Sequence, residues 1–412
     1  EWETPTTVNT FDFSQLQDTK LKSLLENTLE GEPLQPAFTT DFTRIKRILR
    51  FDDGTECEFA LDRGKIIASG KEQRISEIEL EIVAGDARRL FEFSKGLMEH
   101  IPLRLMHESK AARGFALSLG ALSKPTKAKQ AALDKQMSAR QGFVAIAGGC
   151  LQQMTANEAG CALGEDSEYL HQMRVAIRRL RTTIRLFSDF LDSEKTIAIV
   201  EELRWLGGQL GATRDLDVFL GETLPPMIAS WPNDIGLATI GTRIFEQRAA
   251  AAAASRAAVQ SPRYQQLLIN LGAWLLALSE QAESAGETIK LADFARNALK
   301  RHRKQLIRRA EHLLDLSAAE RHRVRISGKR LRYAAEFFSP LFPAKQSKPY
   351  IQELANLQSI LGVLNDAATT HTILSQVTDE SNGHAVTVIQ AWVLGGAQGH
   401  LAHLAQAQQR FL

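Results

Sequence analysis

HQMRVAIRRLRTTIRLF (171–187) and HRVRISGKRLRYAAEFF (322–338) are two versions of one segment, 151 residues apart. The same offset, continued without a gap, lays EELRWLGGQLGATRDLDV from Glu201 on QELANLQSILGVLNDAAT from Gln352. Thirteen of the 48 positions between 171 and 218 are identical to their partners, where chance would give a few. They include His171/His322, Arg174/Arg325, Arg179/Arg330, Leu180/Leu331, Arg181/Arg332, Gly211/Gly362 and Asp215/Asp366. A repeat this long points to a duplicated helical unit of about 150 residues rather than a short solenoid repeat.

At roughly 100° per residue, Met173, Ile177, Leu180, Ile184 and Phe187 form one apolar stripe. His171, Arg174, Arg178, Arg181 and Arg185 form a second stripe beside it. The second copy repeats this with His322, Arg325, Lys329 and Arg332, and Glu336 stands where the first copy has Arg185. A solvated helix face ordinarily mixes signs for i,i+4 pairing. A row of bases without an acid instead suits an anion, and arginine's planar fork suits phosphate oxygens. Lys300, Arg303 and Lys304 share a face of a further predicted helix, whose counterpart around Phe143–Met154 has no base. The two halves should therefore grip a polyanion unequally. In the second motif, Leu203, Leu206 and Leu210 read as a core stripe. Gly211 and Gly362 read as close-packing or kink positions, and Asp215 and Asp366 as acids that orient arginines of the facing helix.

The whole chain of 412 residues carries a formal charge of only +2, unevenly spread. Residues 1–122 hold 16 Lys/Arg against 21 Asp/Glu, and residues 123–412 hold 34 against 27. No apolar run is long enough for a membrane span. Three scattered cysteines, Cys57, Cys150 and Cys161, fit reduced thiols in a cytoplasm rather than disulfides or a zinc site.

Residues 1–120 read mostly as strands. Arg44, Lys46, Ile48 and Arg50 alternate with apolar neighbours, as do Glu56, Glu58, Ala60 and Asp62, and Glu77, Glu79 and Glu81. Asp53-Gly54 and Arg63-Gly64 supply turn chemistry, and a helix is predicted from Arg88 to His100. Carboxylates at alternate strand positions share a face, and a hard divalent cation would relieve their repulsion. A solvated face balanced by lysines accounts for the same spacing equally well. The fold expected is α+β: a mostly strand-forming segment over 1–122, a linker at 123–135, and a larger all-α duplicated helical bundle over 136–412, with halves at about 136–285 and 286–412.

The paired H-x-x-R-V-x-x-R-R-L-R and H-x-x-R-x-x-x-K-R-L-R-Y motifs, with L-G-x-x-x-D, resemble the CHAD domain. That resemblance implies binding of inorganic polyphosphate by the basic stripes: His171, Arg174, Arg178, Arg181, Arg185, Lys300, Arg303, Lys304, His322, Arg325, Lys329 and Arg332. FTTDFTRIK, ECEFALDRG, ISEIELEIVAGD and SKAARG resemble the later part of a CYTH domain, the triphosphate tunnel metalloenzyme fold. This second resemblance implies a partial antiparallel β-tunnel over 1–122, with phosphate binding by Arg44, Lys46, Lys110 and Arg113. It implies Mg²⁺ or Mn²⁺ on Glu77, Glu79 and Glu81, with Glu58 and Asp62 nearby, and catalytic roles for Lys110 and Glu79. No ExExK strand precedes these stretches, and Glu1-Trp2-Glu3 resembles a strand from the middle of such a domain. The expectation is that the chain begins inside the domain and that catalysis belongs to a full-length protein.

Two functions follow, with inorganic polyphosphate or tripolyphosphate as ligand. One couples polyphosphate binding to a metal-dependent inorganic triphosphatase; the other is a binding or targeting protein without catalysis. Nucleic acid is a third possible partner for basic helices, but the basic faces lack interleaved aromatics and no nucleic-acid motif is present.

Overall fold

A computed structural model describes residues 18–29, 35–120, 124–164, 166–284, 289–313, 315–379 and 382–411. The Glu1–Glu3 stretch and the expected division between halves at 285/286 lie outside the described residues. The chain forms two compact units: residues up to Gly85 with Glu108 to Ser123, and Asp86 to His107 with the chain from Lys124 onward.

In the first unit, α1 (Thr19–Leu29) precedes strands β1 (Thr39–Arg50), β2 (Glu56–Ala68) and β3 (Lys71–Ala84), which form one antiparallel sheet in that order. Asp53-Gly54 makes the first turn as expected, with Gly54 at φ 83°. Arg63-Gly64 does not make the second. It lies inside β2, and a Cβ on Gly64 would come within 2.1 Å of the Asp41 carbonyl oxygen. This glycine marks the close approach of β1 to β2. The chain reverses instead at Ser69-Gly70, where both residues have positive φ (50° and 72°), the signature of a tight hairpin turn.

Helix α2 (Arg88–His100) occupies the predicted range but belongs to the second unit, not to the sheet segment in which the sequence placed it. The Phe91 ring lies where a Cβ on Gly272 would come within 2.6 Å of it, so α2 packs closely on a later helix. Helix α3 (Lys110–Leu119) returns to the first unit, capped by Ser109, whose Oγ accepts a hydrogen bond from Ala112 N at 3.1 Å. Among the described residues the first segment is therefore less strand-rich than its alternation suggests.

The second unit continues with α4 (Ala139–Ala156), α5 (Glu158–Leu163), α6 (Ser167–Leu186), α7 (Ser193–Val218), α8 (Leu224–Ser230) and α9 (Ile235–Gln260). It is completed by α10 (Pro262–Ser284), α11 (Leu291–Ala310), α12 (Ala318–Phe338), α13 (Ala344–Ser375) and α14 (Gly383–Phe411). Among the described residues no helix is long and apolar enough to cross a membrane.

The repeat is built into the core. Leu203, Leu206 and Leu210 of α7 and their counterparts Leu354, Leu357 and Leu361 of α13 are all buried. Burying each leucine contributes about 1.5–3 kcal/mol, so both stripes hold their helices against α6 and α12. Phe143, Phe187, Phe294 and Phe338, two residues and their two counterparts, form one aromatic cluster. Phe187 stacks on Phe294 at 4.5 Å, and Phe187 and Phe338, equivalent in the repeat, meet edge-on at 6.0 Å. Nearby, Ala139 N donates to Ile289 O and Leu291 N to Met137 O, joining the starts of α4 and α11. The two copies thus pack about an approximate two-fold axis.

Candidate functional site

Helices α6 and α12 carry the basic stripes. Asp166 caps α6 by accepting from Glu168 N at 2.8 Å, and a reciprocal Ser317–Glu320 capping box starts α12. With their apolar stripes buried, the adjoining basic stripes are drawn partly inside. His171, Arg174, Arg178 and Arg181 are half-buried, as are Arg325, Lys329 and Arg332; Arg185, in the last turn of α6, and His322, near the start of α12, are exposed.

The two stripes meet. Burial and then the charges of Arg325 and Arg178 push the Lys329 ammonium down to about 8, while Asp366 pulls the other way. Arg178 also bears on Arg325. Burial, then Arg214 and the neighbouring stripe residues, lower His171, although Glu168 opposes them. Arg174 Nε and Nη1, Arg178 Nε and Arg325 Nε are enclosed without a hydrogen-bond partner. Buried guanidinium donors are costly to leave unpaired. Asp215 lies 3.7 Å from Arg174 Nη2, and Asp366 acts on Arg325 and Lys329, so both acids stand where they can orient bases. Gly211 has a sharper role than packing: a Cβ there would meet Arg174 Nη1 at 2.8 Å. Gly362 has no such neighbour within 4 Å.

Lys300, Arg303 and Lys304 are exposed on α11, with Arg303 near the half-buried Tyr350 of α13. Elsewhere on α11, His302 faces Arg185 of α6 and Arg330 of α12, Arg309 bonds Ser327 of α12, and Arg301 approaches Asp189 just beyond the end of α6. Sequence reasoning passed over His302, because which side of α11 faces the neighbouring helices depends on packing. Arg332 is partly neutralised: its Nε lies 3.4 Å from Glu336 Oε1 and its guanidinium 5.5 Å from the Tyr333 ring.

Lys329 carries a prediction. Its folded value lies below that of an unfolded lysine, so between pH 8 and about 10.4 the unfolded chain binds the extra proton. The Lys329 contribution to the stability of the ligand-free helical unit should therefore rise with pH across that window, by on the order of 3 kcal/mol, while the buried Cys150 and Cys161 thiols, raised by burial, act in the opposite sense. Denaturant unfolding of wild type and Lys329→Met at pH 7 to 10 isolates the lysine, because both proteins share the cysteines: the wild type should gain stability relative to the variant as pH rises. A difference between the two that stays constant over that range would contradict the electrostatic crowding of the seam.

In the sheet unit the register brings the polar alternations onto one face. Arg44 stands opposite Asp62, and Asp62 opposite Glu77; Lys46 opposes Ala60, and Ala60 opposes Glu79. Asp62 is fully buried and accepts from Arg44 Nε at 2.7 Å, Arg44 Nη2 at 2.6 Å and Lys110 Nζ at 2.7 Å. Glu79 accepts from Arg44 Nη2 and Lys110 Nζ, each at 2.5 Å. Glu77 accepts from Arg113 Nη2 at 2.5 Å and also contacts Lys110. Lys46 pairs with Glu58 at 2.7 Å. The Arg44 hydrogen bond holds the Asp62 carboxyl below its ordinary range against burial, aided by Lys110. Burial lowers Lys110, but its bonds to Asp62, Glu77 and Glu79 outweigh this and raise it.

One carboxylate oxygen each from Asp62, Glu77 and Glu79 lies within 4.8 Å of the others. This all-oxygen donor set fits a hard divalent cation. Glu81, opposite Glu58 and exposed, stands outside the group, and Asp62 takes the third place. Alternation within single strands could not show this, because the carboxylates converge through the register between β2 and β3.

Helical pairs duplicated about an axis and lined with converging bases define the class to which this chain belongs. It is a member of the CHAD domain family, whose pattern matches residues 145–375. The crystal structure of the CHAD domain from the plant Ricinus communis is similar, at 34% identity and a TM-score of 0.61, covering 69% of this chain and 96% of that one. PptA from Streptomyces chartreusis shares the fold, at 18% identity and a TM-score of 0.50 over 66% of this chain and 99% of that one. The N-terminal region is similar to an inorganic triphosphatase of Haemophilus influenzae, 42% identical over 89 residues. That match spans 22% of this chain and a quarter of the relative's length.

Proposed function

We propose that the helical domain binds inorganic polyphosphate along the seam between α6 and α12. The observation that carries this reading is the set of enclosed, unpartnered guanidinium nitrogens of Arg174, Arg178 and Arg325, beside a lysine depressed by its cationic neighbours. A chain of phosphoryl groups supplies both the missing acceptors and the missing negative charge. Arg181 and Arg185 would extend the grip along α6, and Lys300, Arg303 and Lys304 would attract the chain from the exposed side of α11.

We further propose that the sheet face serves a metal-dependent inorganic triphosphatase activity. Asp62, Glu77 and Glu79 would hold Mg²⁺ or Mn²⁺, which when bound neutralises phosphate oxygens and positions water. Lys110, Arg44, Arg113 and Lys46 would hold the phosphates of tripolyphosphate. Support comes from the carboxylate grouping and the similarity to the Haemophilus influenzae enzyme. Three buried free cysteines accord with action in a reducing cytoplasm.

Competition titration tests the binding reading. Labelled long-chain polyphosphate should be displaced by unlabelled polyphosphate far better than by single-stranded RNA at equal phosphate, with affinity falling steeply as salt rises. Equal displacement by RNA would replace this reading with a nucleic-acid one.

A further inference from the structure

The approximate two-fold axis makes each contact across the α6–α12 crossing comparable with its counterpart, and one pair of counterparts is opposite in charge. Arg179 Nη1 lies 2.9 Å from Glu336 Oε2, and the Arg179 guanidinium sits 4.7 Å over the Phe337 ring. Arg332 approaches the other Glu336 oxygen. This corner is internally neutralised.

With the 151-residue offset, Arg179 becomes Arg330 and Glu336 becomes Arg185. The counterpart of an ion pair is therefore a pair of arginines. Arg330 is lowered by burial, then by Arg185 and Arg309, and these two arginines reach it from α6 and α11. His302 stands among Arg301, Arg330 and Arg185; burial and then those charges press it down to about 4, so it is neutral at pH 7. Arg309 donates to Ser327 Oγ at 2.5 Å, which fixes it against α12. An acid, Asp189, lies 3.8 Å from Arg301 at the margin of the group. Residues from three helices thus bring cations together at a place that the other half closes with a carboxylate.

We propose that Arg185, Arg330 and Arg309, with His302, form a phosphoryl subsite at one end of the seam, and that the Glu336 carboxylate fills the equivalent place at the other end. The inference rests on the polyphosphate reading and adds a direction to it. A bound chain continues out of the seam past Arg330 and stops at Glu336. The ligand is a phosphoryl oxyanion of the bound long chain, and a free phosphate ion, which has the same chemistry, is the competing outcome of the test.

Arg185→Glu in the whole chain makes the two corners alike. Because Arg185 is exposed in the last turn of α6, the variant should fold, and the new pair with Arg330 should raise Tm by about 2 °C without ligand. Affinity for long-chain polyphosphate should fall about 10-fold or more, and the slope of log K against log salt should shrink by about one. Glu336→Gln, which opens the closed corner, should steepen that slope. Unchanged affinity and slope in Arg185→Glu overturn the subsite. If that variant abolishes stabilisation by inorganic phosphate but binds long chains as the wild type does, the patch is a free-phosphate site and the proposal is likewise overturned. Variants of Arg178, Arg325 and Lys329 separate the two readings. Their loss of binding alongside an unaffected Arg185→Glu removes only the subsite, whereas their full retention of binding removes the seam.

Discussion

Changing Arg178, Arg325 and Lys329 together to methionine should weaken long-chain polyphosphate binding by about 10³-fold while making the ligand-free protein more stable. The loss follows from three half-buried cations, each able to give a charge-assisted hydrogen bond contributing about 1.5–3 kcal/mol, added with the usual shortfall for neighbours. The gain follows from the same positions. Burial lowers Arg325 and Lys329, and Arg178 lowers both further. Methionine keeps most of the apolar stem, so packing against the buried stripe is largely retained. Sites that hold a ligand's charge are commonly strained without it, and their removal often stabilises the fold. Isothermal titration and thermal unfolding of the same preparation measure both quantities. Wild-type affinity would eliminate the seam as the binding site. A lower Tm would show instead that these cations are adequately compensated in the free protein.

The second large effect is expected in the sheet. Asp62→Ala should destabilise the three-stranded sheet by about 3–5 kcal/mol, the cost of removing one member of a buried ionic group. Asp62 is fully buried between Arg44 and Lys110, and without it the carboxylates left to Lys110 among the described residues are Glu77 and Glu79. Hydrogen exchange of β2 amides should report the change while the helical unit remains protected. The pH dependence has a definite sign. The folded Asp62 value is lowered, so its stabilisation is present above the unfolded value near 3.9 and is lost as pH falls through the folded value. Wild-type β2 should therefore lose protection in acid, below about pH 4, and the variant should show less of that loss. Equal β2 exchange in the two proteins at pH 7 would mean that the buried ion group contributes little.

Much of this architecture is legible in the sequence because helical and strand periods are properties of single segments. The constant offset of 151 places Leu180 on Leu331 and Arg174 on Arg325, and these pairs occupy corresponding positions on α6 and α12. Alternation likewise places Arg44, Asp62 and Glu77 on one side of their strands. What single segments cannot show is which residues meet between them. Asp62 joins the carboxylate group through the β2–β3 register, and Lys110 reaches three carboxylates from a separate helix. Helix α2 has the predicted range, but its partner is α10, so charge and position in the chain assigned it to the wrong unit. Gly64 resembled a turn because glycine permits one, whereas its place in β2 is set by the Asp41 carbonyl beside it.

The meeting of Phe187 with Phe338 bears on what joining two copies in one chain achieves. In an assembly of identical subunits, a residue touches its own equivalent only where it lies on or near the symmetry axis. Two repeat-equivalent phenylalanines in contact, flanked by Phe143 and Phe294, have the form of such a self-complementary interface. Two separate copies would bury these rings only at the mercy of concentration. One chain makes the pairing intramolecular, and it does not oblige the copies to be identical: one corner carries a carboxylate at 336 while its twin carries an arginine at 185.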